Sequence, residues 1–233
     1  WALYANTTGT NNDAYGFNAL GSNTTGGSNV GLGTYALYSN TTASNNTAVG
    51  YQAGYSGIIT VGNTLIGYQA GYSQTVSATN GFNTFVGYQA GRANTSGYGN
   101  TYIGSNNTTA LGAGGAMTTG NFNVIIGGYS GNQGGLDIRT ASNYIVLSDG
   151  DGNPRAYWNS NGQLNHFANQ PNDVACQFYN TNATSPFGMY LQLSAASPNN
   201  TSQYMFRASD STTVCYSIYT NGTTGGRSDE RLK

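Results

Sequence analysis

The sequence predicts an all-β chain: a trimeric parallel β-roll, or β-solenoid, forming a shaft, then a small, strand-rich, interwoven β domain. Three observations carry that expectation. The string Asn-Thr-Ala-Val-Gly-Tyr-Gln-Ala-Gly at 46–54 returns in close copies at 63–71 and 83–91, and looser copies align on Gly16, Gly33, Gly50, Gly67, Gly87, Gly104 and Gly127. The steps between those glycines are 17, 17, 17, 20, 17 and 23 residues, a fixed period with insertions, as in stacked repeat architectures. Finally, only 6% of residues are charged and 4 are proline, while 35 glycines and 19 tyrosines are present, with aromatics recurring in register. Disordered chains are poor in aromatics and rich in charge or proline.

Within one repeat the residue before each anchor glycine is almost always aliphatic: Tyr15, Leu32, Val49, Ile66, Val86, Ile103 and Ile126. The residue before that is also mostly apolar, from Ala14 and Gly31 to Phe85 and Ile125. Neighbouring strand residues point to opposite faces, so both faces of a short strand are expected to be buried, one inside the coil and one against another copy of the chain. The anchor glycine suits a turn or a close backbone approach. Three residues later, Ala19, Ala36, Ala53, Ala70 and Ala90 are small enough for tight coil packing. Asparagines at the start of each repeat (Asn12, Asn29, Asn46, Asn63, Asn83, Asn100, Asn123) suit a turn and, stacked in register, an amide ladder. Insertions near 73–80 and 105–121 are expected to bulge outward as loops.

The roll is assigned to residues 1–131. Residues 132–164 read as transition strands and turns, and 165–227 as a C-terminal β domain, tip or collar, with alternating strands such as Tyr204-Met-Phe-Arg and Val214-Cys-Tyr-Ser-Ile-Tyr. A Gly-rich turn from Gly222 to Gly226 closes that region. Ser148-Asp-Gly-Asp-Gly-Asn is read as a structural turn, because the Glu that an EF-hand loop needs is missing. No metal or other cofactor is expected: the lone His166 cannot complete a zinc set with Cys176 and Cys215, which are either reduced thiols or a disulfide. The chain starts at Trp1 without a charged then apolar leader and reads as a fragment or processed product.

The Asn-Thr-Ala-Val-Gly-Tyr-Gln-Ala copies resemble the head repeat of trimeric autotransporter adhesins, whose pattern runs Asn-Ser-Val-Ala-Ile-Gly. The resemblance covers about residues 1–131 and implies a trimer of parallel β-rolls, with a step longer here than is usual for that family. The last six residues, Ser228-Asp-Glu-Arg-Leu-Lys233, alone read as a helix start with a Ser N-cap and acids in the first turn. Behind a β-rod they resemble the start of the endosialidase-type C-terminal intramolecular chaperone of phage tailspikes and tail fibres. That resemblance implies self-cleavage between Arg227 and Ser228, with Ser228 as nucleophile and Lys233 as its base. The base needs a depressed pKa from surroundings that the rest of the chaperone would supply, so no activity is expected of this chain.

The expected function is therefore structural and host-attaching: a phage tail fibre or receptor-binding protein, extracellular on the virion tail. Its partners would be itself as a homotrimer, a host-surface glycan or protein receptor, and other tail proteins. A bacterial adhesin head on the cell surface is the alternative, a polysaccharide-degrading tailspike a third reading, and an ice-binding solenoid on the Thr47, Thr64, Thr84, Thr101 column a fourth. Enzymatic activity is not expected, since 8 acids in all leave only Asp149 with Asp151, and Asp210, as carboxylates to nominate. A net charge of −1 gives no field for nucleic acid, and no apolar run reaches the roughly 20 residues of a membrane span. Tyr51, Tyr68 and Tyr88, one residue past the anchor, with Tyr190 and Trp158, are candidate glycan contacts; packing between coils is the competing reading.

Overall fold

A computed structural model describes residues 1–57, 61–75, 81–106, 111–166, 204–209, 214–219 and 224–226. The described residues are all-β and contain no helix. Residues 1–175 and 176–233 form two separate compact units.

In the first unit, eight short strands lie parallel and in sequence order: β1 (Asp13–Tyr15), β2 (Val30–Leu32), β3 (Thr47–Val49), β4 (Thr64–Ile66), β5 (Thr84–Val86), β6 (Thr101–Ile103), β7 (Val124–Ile126) and β8 (Ile145–Ser148). Every pairing keeps the repeat register, so Ala48 lies opposite Leu65 and Phe85 opposite Tyr102. This is a β-solenoid of about seven turns, the fold class expected from the period. The parallel ladder runs past residue 131, because β8 pairs with β7 although Ser148 takes the anchor glycine's place and Tyr144 the leading asparagine's. The chain then reverses: β9 (Pro154–Trp158) pairs antiparallel with β8, and β10 (Leu164–His166) with β9.

The middle residue of each strand points into the coil. Ala48, Leu65, Phe85, Tyr102, Ile125 and Val146 are buried, and the Phe85 and Tyr102 rings stack 4.8 Å apart. Opposite them stands a column four residues past the anchor, or ten at Gly114 after the insertion, all of it in the left-handed region: Leu3, Leu20, Leu37, Gly54, Gly71, Gly91 and Gly114 (φ +50° to +63°). Size is exchanged across the core. Where the strand offers Ala14, Gly31 or Ala48, leucines reach across. Where it offers Leu65, Phe85 or Tyr102, glycine makes room, and a Cβ at Gly91 or Gly114 would strike the Phe85 or Tyr102 ring. Each large side chain buried this way contributes about 1.5–3 kcal/mol.

At the anchors the backbone closes up. Gly50 has φ +136°, and a Cβ there would lie 2.5 Å from the Gly67 carbonyl oxygen of the next coil. The Gly67 amide in turn donates to the Val49 carbonyl at 2.8 Å. The alanines at +3 are fully buried, and their carbonyls accept from the preceding coil: Leu37 N–H to Ala53, Gly54 to Ala70, Gly71 to Ala90.

The leading asparagines form a buried ladder in which each Oδ1 accepts the backbone N–H of the next coil's asparagine, as from Asn63 to Asn46 at 2.9 Å and from Asn123 to Asn100 at 2.8 Å. A second amide column, unforeseen in the sequence, runs Asn6, Asn23, Asn40. Asn23 donates to the Asn6 Oδ1, and Asn40 to the Asn23 Oδ1, both at 2.8 Å. The next rung is Gly57, whose N–H donates to Gly54 as that of Asn40 does to Leu37. With no amide there, the buried Asn40 Oδ1 has no hydrogen-bond partner, and neither has the Gln74 carboxamide on the following coil.

The outward strand face is not covered within one chain. Leu32, Ile66, Ile103, Ile126, Ile145 and Leu147 are each 38–45% exposed, so the burial of both faces expected from the sequence is met by this chain on one face alone. Of the insertions expected to bulge outward, 76–80 and 107–110 lie outside the described residues, but 112–117 is no outward loop: Ala113 and Met117 are fully buried in the core, and the Ala113 N–H closes back onto the Gly104 carbonyl. In the second unit β11 (Tyr204–Ser209), β12 (Val214–Tyr219) and β13 (Thr224–Gly226) form an antiparallel sheet in that order. Residues 224–226 are thus strand where a Gly-rich turn was expected, because glycines at a sheet edge can still supply backbone hydrogen bonds to β12.

Gly50→Ala is expected to cost about 3 kcal/mol or more, since it adds a disfavoured φ to a backbone collision. Gly150→Ala, at an exposed glycine with open space around it, should stay within about 0.5 kcal/mol; thermal unfolding of the pair checks both. Gly57→Asn should complete the second amide column and raise the unfolding midpoint by about 2–4 °C, whereas a lowered midpoint would show that the rung cannot be filled.

Candidate functional site

Tyr51, Tyr68 and Tyr88 follow anchor glycines in the tightest copies of the repeat. Each is the second residue of a four-residue turn closed by the alanine N–H onto the anchor carbonyl, at 3.4, 3.3 and 3.3 Å. The third residue is Gln52, Gln69 or Gln89, at φ +52° to +55°, the positive φ that a type II turn requires. The turn aims both side chains outward. Because the coils stack in register, the rings do too: Tyr51 on Tyr68 at 5.5 Å and Tyr68 on Tyr88 at 5.0 Å, within 10° of parallel. The glutamines form a parallel column, with Gln69 Nε2 donating to Gln52 Oε1 at 2.8 Å and Gln89 Nε2 to Gln69 Oε1 at 3.2 Å.

This geometry decides between the two readings of the tyrosines. They pack on one another between coils and remain 41–50% exposed. The faces of Tyr68 are both covered, so it offers a ligand only its edge and hydroxyl. A sugar face can stack only on the outer sides of Tyr51 and Tyr88.

A second tyrosine column, five residues past the anchor, escaped the sequence reading although it keeps the same 17-residue step. Tyr38, Tyr55 and Tyr72 stack at 5.4 and 5.1 Å. The Arg92 guanidinium closes the end, 5.7 Å from the Tyr72 ring centre, with its Nε donating to Gln69 Oε1 at 3.0 Å. Arg92 thereby ties the two columns together. Burial, then the neighbouring phenols of Tyr72 and Tyr38, hold the Tyr55 hydroxyl above its ordinary pKa.

The remaining nominated residues are not gathered here. Trp158 ends β9, opposite Ile145 and Leu164, beyond the last solenoid strand and several coils from Tyr88. Tyr190, Ser228 and Lys233, like Cys176 and Asp210, lie outside the described residues. Asp149 organises the 148–153 turn: its Oδ1 accepts the N–H groups of Asp151 and Asn153, and its carboxylate pairs with Arg155. Desolvation pushes the Asp149 pKa up, but those hydrogen bonds and Arg155 outweigh it and hold it below the usual value. Asp137 makes a two-pronged pair with Arg139 at 3.0 and 2.7 Å, on the wall of a 520 Å³ cleft shared with Ala93, Leu111, Ala116 and Thr118. Among the described residues no cluster of His, Cys, Asp or Glu could hold a metal ion, and no helix is long and apolar enough to cross a membrane.

Comparison of the chain with protein-family models, curated proteins and solved structures finds no match.

Tyr68→Ala removes two ring stacks and is expected to cost about 1–3 kcal/mol, while Tyr51→Ala and Tyr88→Ala remove one stack each and should cost about half as much. Thermal denaturation of the three variants gives the order; equal effects would mean that the stacking contributes nothing beyond area.

Proposed function

We propose that the chain is the attachment part of a trimeric extracellular fibre, with the roll as a stiff shaft and its tyrosine and amide columns facing host glycan. The observation that carries this reading is the outward strand face. Aliphatic side chains stand there on successive coils, half-exposed and in line, and a soluble monomer seldom leaves such a stripe open. A threefold arrangement about an axis parallel to the solenoids and beside their strand faces would cover all three stripes at once, and closed symmetry leaves no free patch to propagate an open filament. The sparsely charged, repetitive surface suits a passive rod better than a catalyst. Residues Ser228 and Lys233 support assigning the fibre to a phage tail through their resemblance to a cleavable chaperone. An adhesin head shares the stripe and differs in its downstream segment, a coiled-coil stalk and membrane barrel in place of the chaperone.

Solution mass by light scattering is expected to give three chains, and Ile66→Asp with Ile103→Asp should yield a monomer or an aggregate. A wild-type monomer at micromolar concentration would sink the shared-core argument. Expression with the natural downstream sequence should release a C-terminal piece before Ser228, with Ser228→Ala leaving an uncut trimer; an uncut wild-type trimer would favour the adhesin.

A further inference from the structure

The column at +5 has one missing rung. It runs Tyr4, Gly21, Tyr38, Tyr55, Tyr72, Arg92, so the first two tyrosines stand two coils apart with only a glycine between them. A cleft of 330 Å³ opens at this place, lined by Tyr4, Ala5, Asn18, Gly21, Ser22 and Tyr38, within the size range of small-molecule sites. Two coil steps separate its aromatic walls by about 9.5 Å, and Tyr38 narrows this by leaning over Gly21, its ring 3.2 Å from where a Cβ would be. One face of Tyr38 is covered by Tyr55; the other looks into the cleft. Tyr4 is 76% exposed and touches Trp1 edge-on at 6.3 Å. Elsewhere in this column the ring faces are covered by one another or by Arg92. Here Tyr4 and Tyr38 line an opening without a ring between them, beside Ser22 and Asn18, whose Oδ1 accepts from the Trp1 amino group at 3.1 Å.

We propose that this cleft is a pyranose-binding slot in which a sugar ring takes the place of the absent tyrosine. The chemistry selects the sugar. An aromatic face carries negative charge density and attracts C–H bonds, so a ring held between two such faces must present C–H bonds on both sides. A β-glucopyranoside does so, because every ring hydroxyl is equatorial. A β-galactopyranoside turns its axial 4-hydroxyl against one wall and leaves it without a partner, which costs binding. The equatorial hydroxyls then point along the slot toward Asn18 and Ser22. The biological origin of the sugar rests on the host-attachment reading; the binding itself does not.

The test is titration of the full chain with methyl β-D-glucopyranoside and methyl β-D-galactopyranoside, followed by saturation-transfer NMR and calorimetry. The glucoside should bind roughly five- to tenfold more tightly than the galactoside, the difference of one good aromatic contact. Gly21→Tyr, which fills the rung once the Tyr38 ring moves back by a few tenths of an ångström from the new Cβ, should abolish binding, with circular dichroism showing that the fold is kept. Tyr4→Ala should weaken it about fivefold, and Gly150→Ala, at an exposed position with open space around it, should leave it unchanged. Undiminished binding in Gly21→Tyr, equal affinity for the two glycosides, or binding of neither overturns the slot. Adsorption of labelled chain to bacterial cells is scored separately. Adsorption that persists in Gly21→Tyr while the wild type ignores both glycosides removes the slot and keeps the attachment reading; glycoside binding without adsorption keeps the slot and removes that reading.

Discussion

Hydrogen bonds between residues one coil apart hold this unit together, and other features of the roll make sense only once that register is fixed. The strand amides, the +3 alanine carbonyls and the asparagine Oδ1 atoms all direct their bonding capacity to the neighbouring coil. A single coil therefore has almost nothing of its own, and its stability comes from the pair. The same register explains the unusual backbone. Leu20, Leu37, Tyr35 and the glutamines sit in the left-handed region, which disfavours residues with a Cβ. They are held there because their N–H groups bond across to a fixed neighbour: Leu20 to Ala36, Gln69 to Tyr51. Strain at each corner is offset by bonds that a relaxed corner would misalign.

Translation stacking also makes the sequence unusually readable. When space repeats every 17 residues, a column in the sequence is a column in the molecule, so the strands, the amide ladder and the buried alanines come from alignment alone. The +4 column was overlooked for a physical reason: leucine at a left-handed corner contradicts local propensity, and its alternation with glycine carries meaning only against the strand residue opposite. The strand pattern Ile145-Val146-Leu147 was legible, but not that β8 continues the parallel ladder, because both its marker residues are replaced, by Ser148 and Tyr144. The second tyrosine column was available at the same period as the first, but it does not lie inside the conspicuous repeated string.

The glycan candidates were legible as exposed aromatics and not as a site. Sequence gives a tyrosine's place in the column; it does not tell whether the ring's faces are free. In this solenoid, regularity itself closes those faces, since each perfect repeat adds a ring that covers the last. Free aromatic faces therefore belong to the irregular positions, where a rung is lost, as at Gly21. The amide column at Asn40 and Gly57 shows the same rule inside the coil, where one interruption leaves polar atoms without partners.

The exchange of size across the core divides the repeats into two dialects. In the first coils leucine faces a small strand residue, and from Leu65 onward glycine faces a large one. A repeat copied beside its own kind meets a neighbour that fits, while one moved across the divide brings two large side chains together or leaves a hole. Growth or shortening of the rod by unequal duplication is consequently tolerated inside a block and resisted at its border. Within a block, length changes in increments of about 4.8 Å, one coil at a time, so the gene can adjust how far the solenoid extends without redesigning what holds it together.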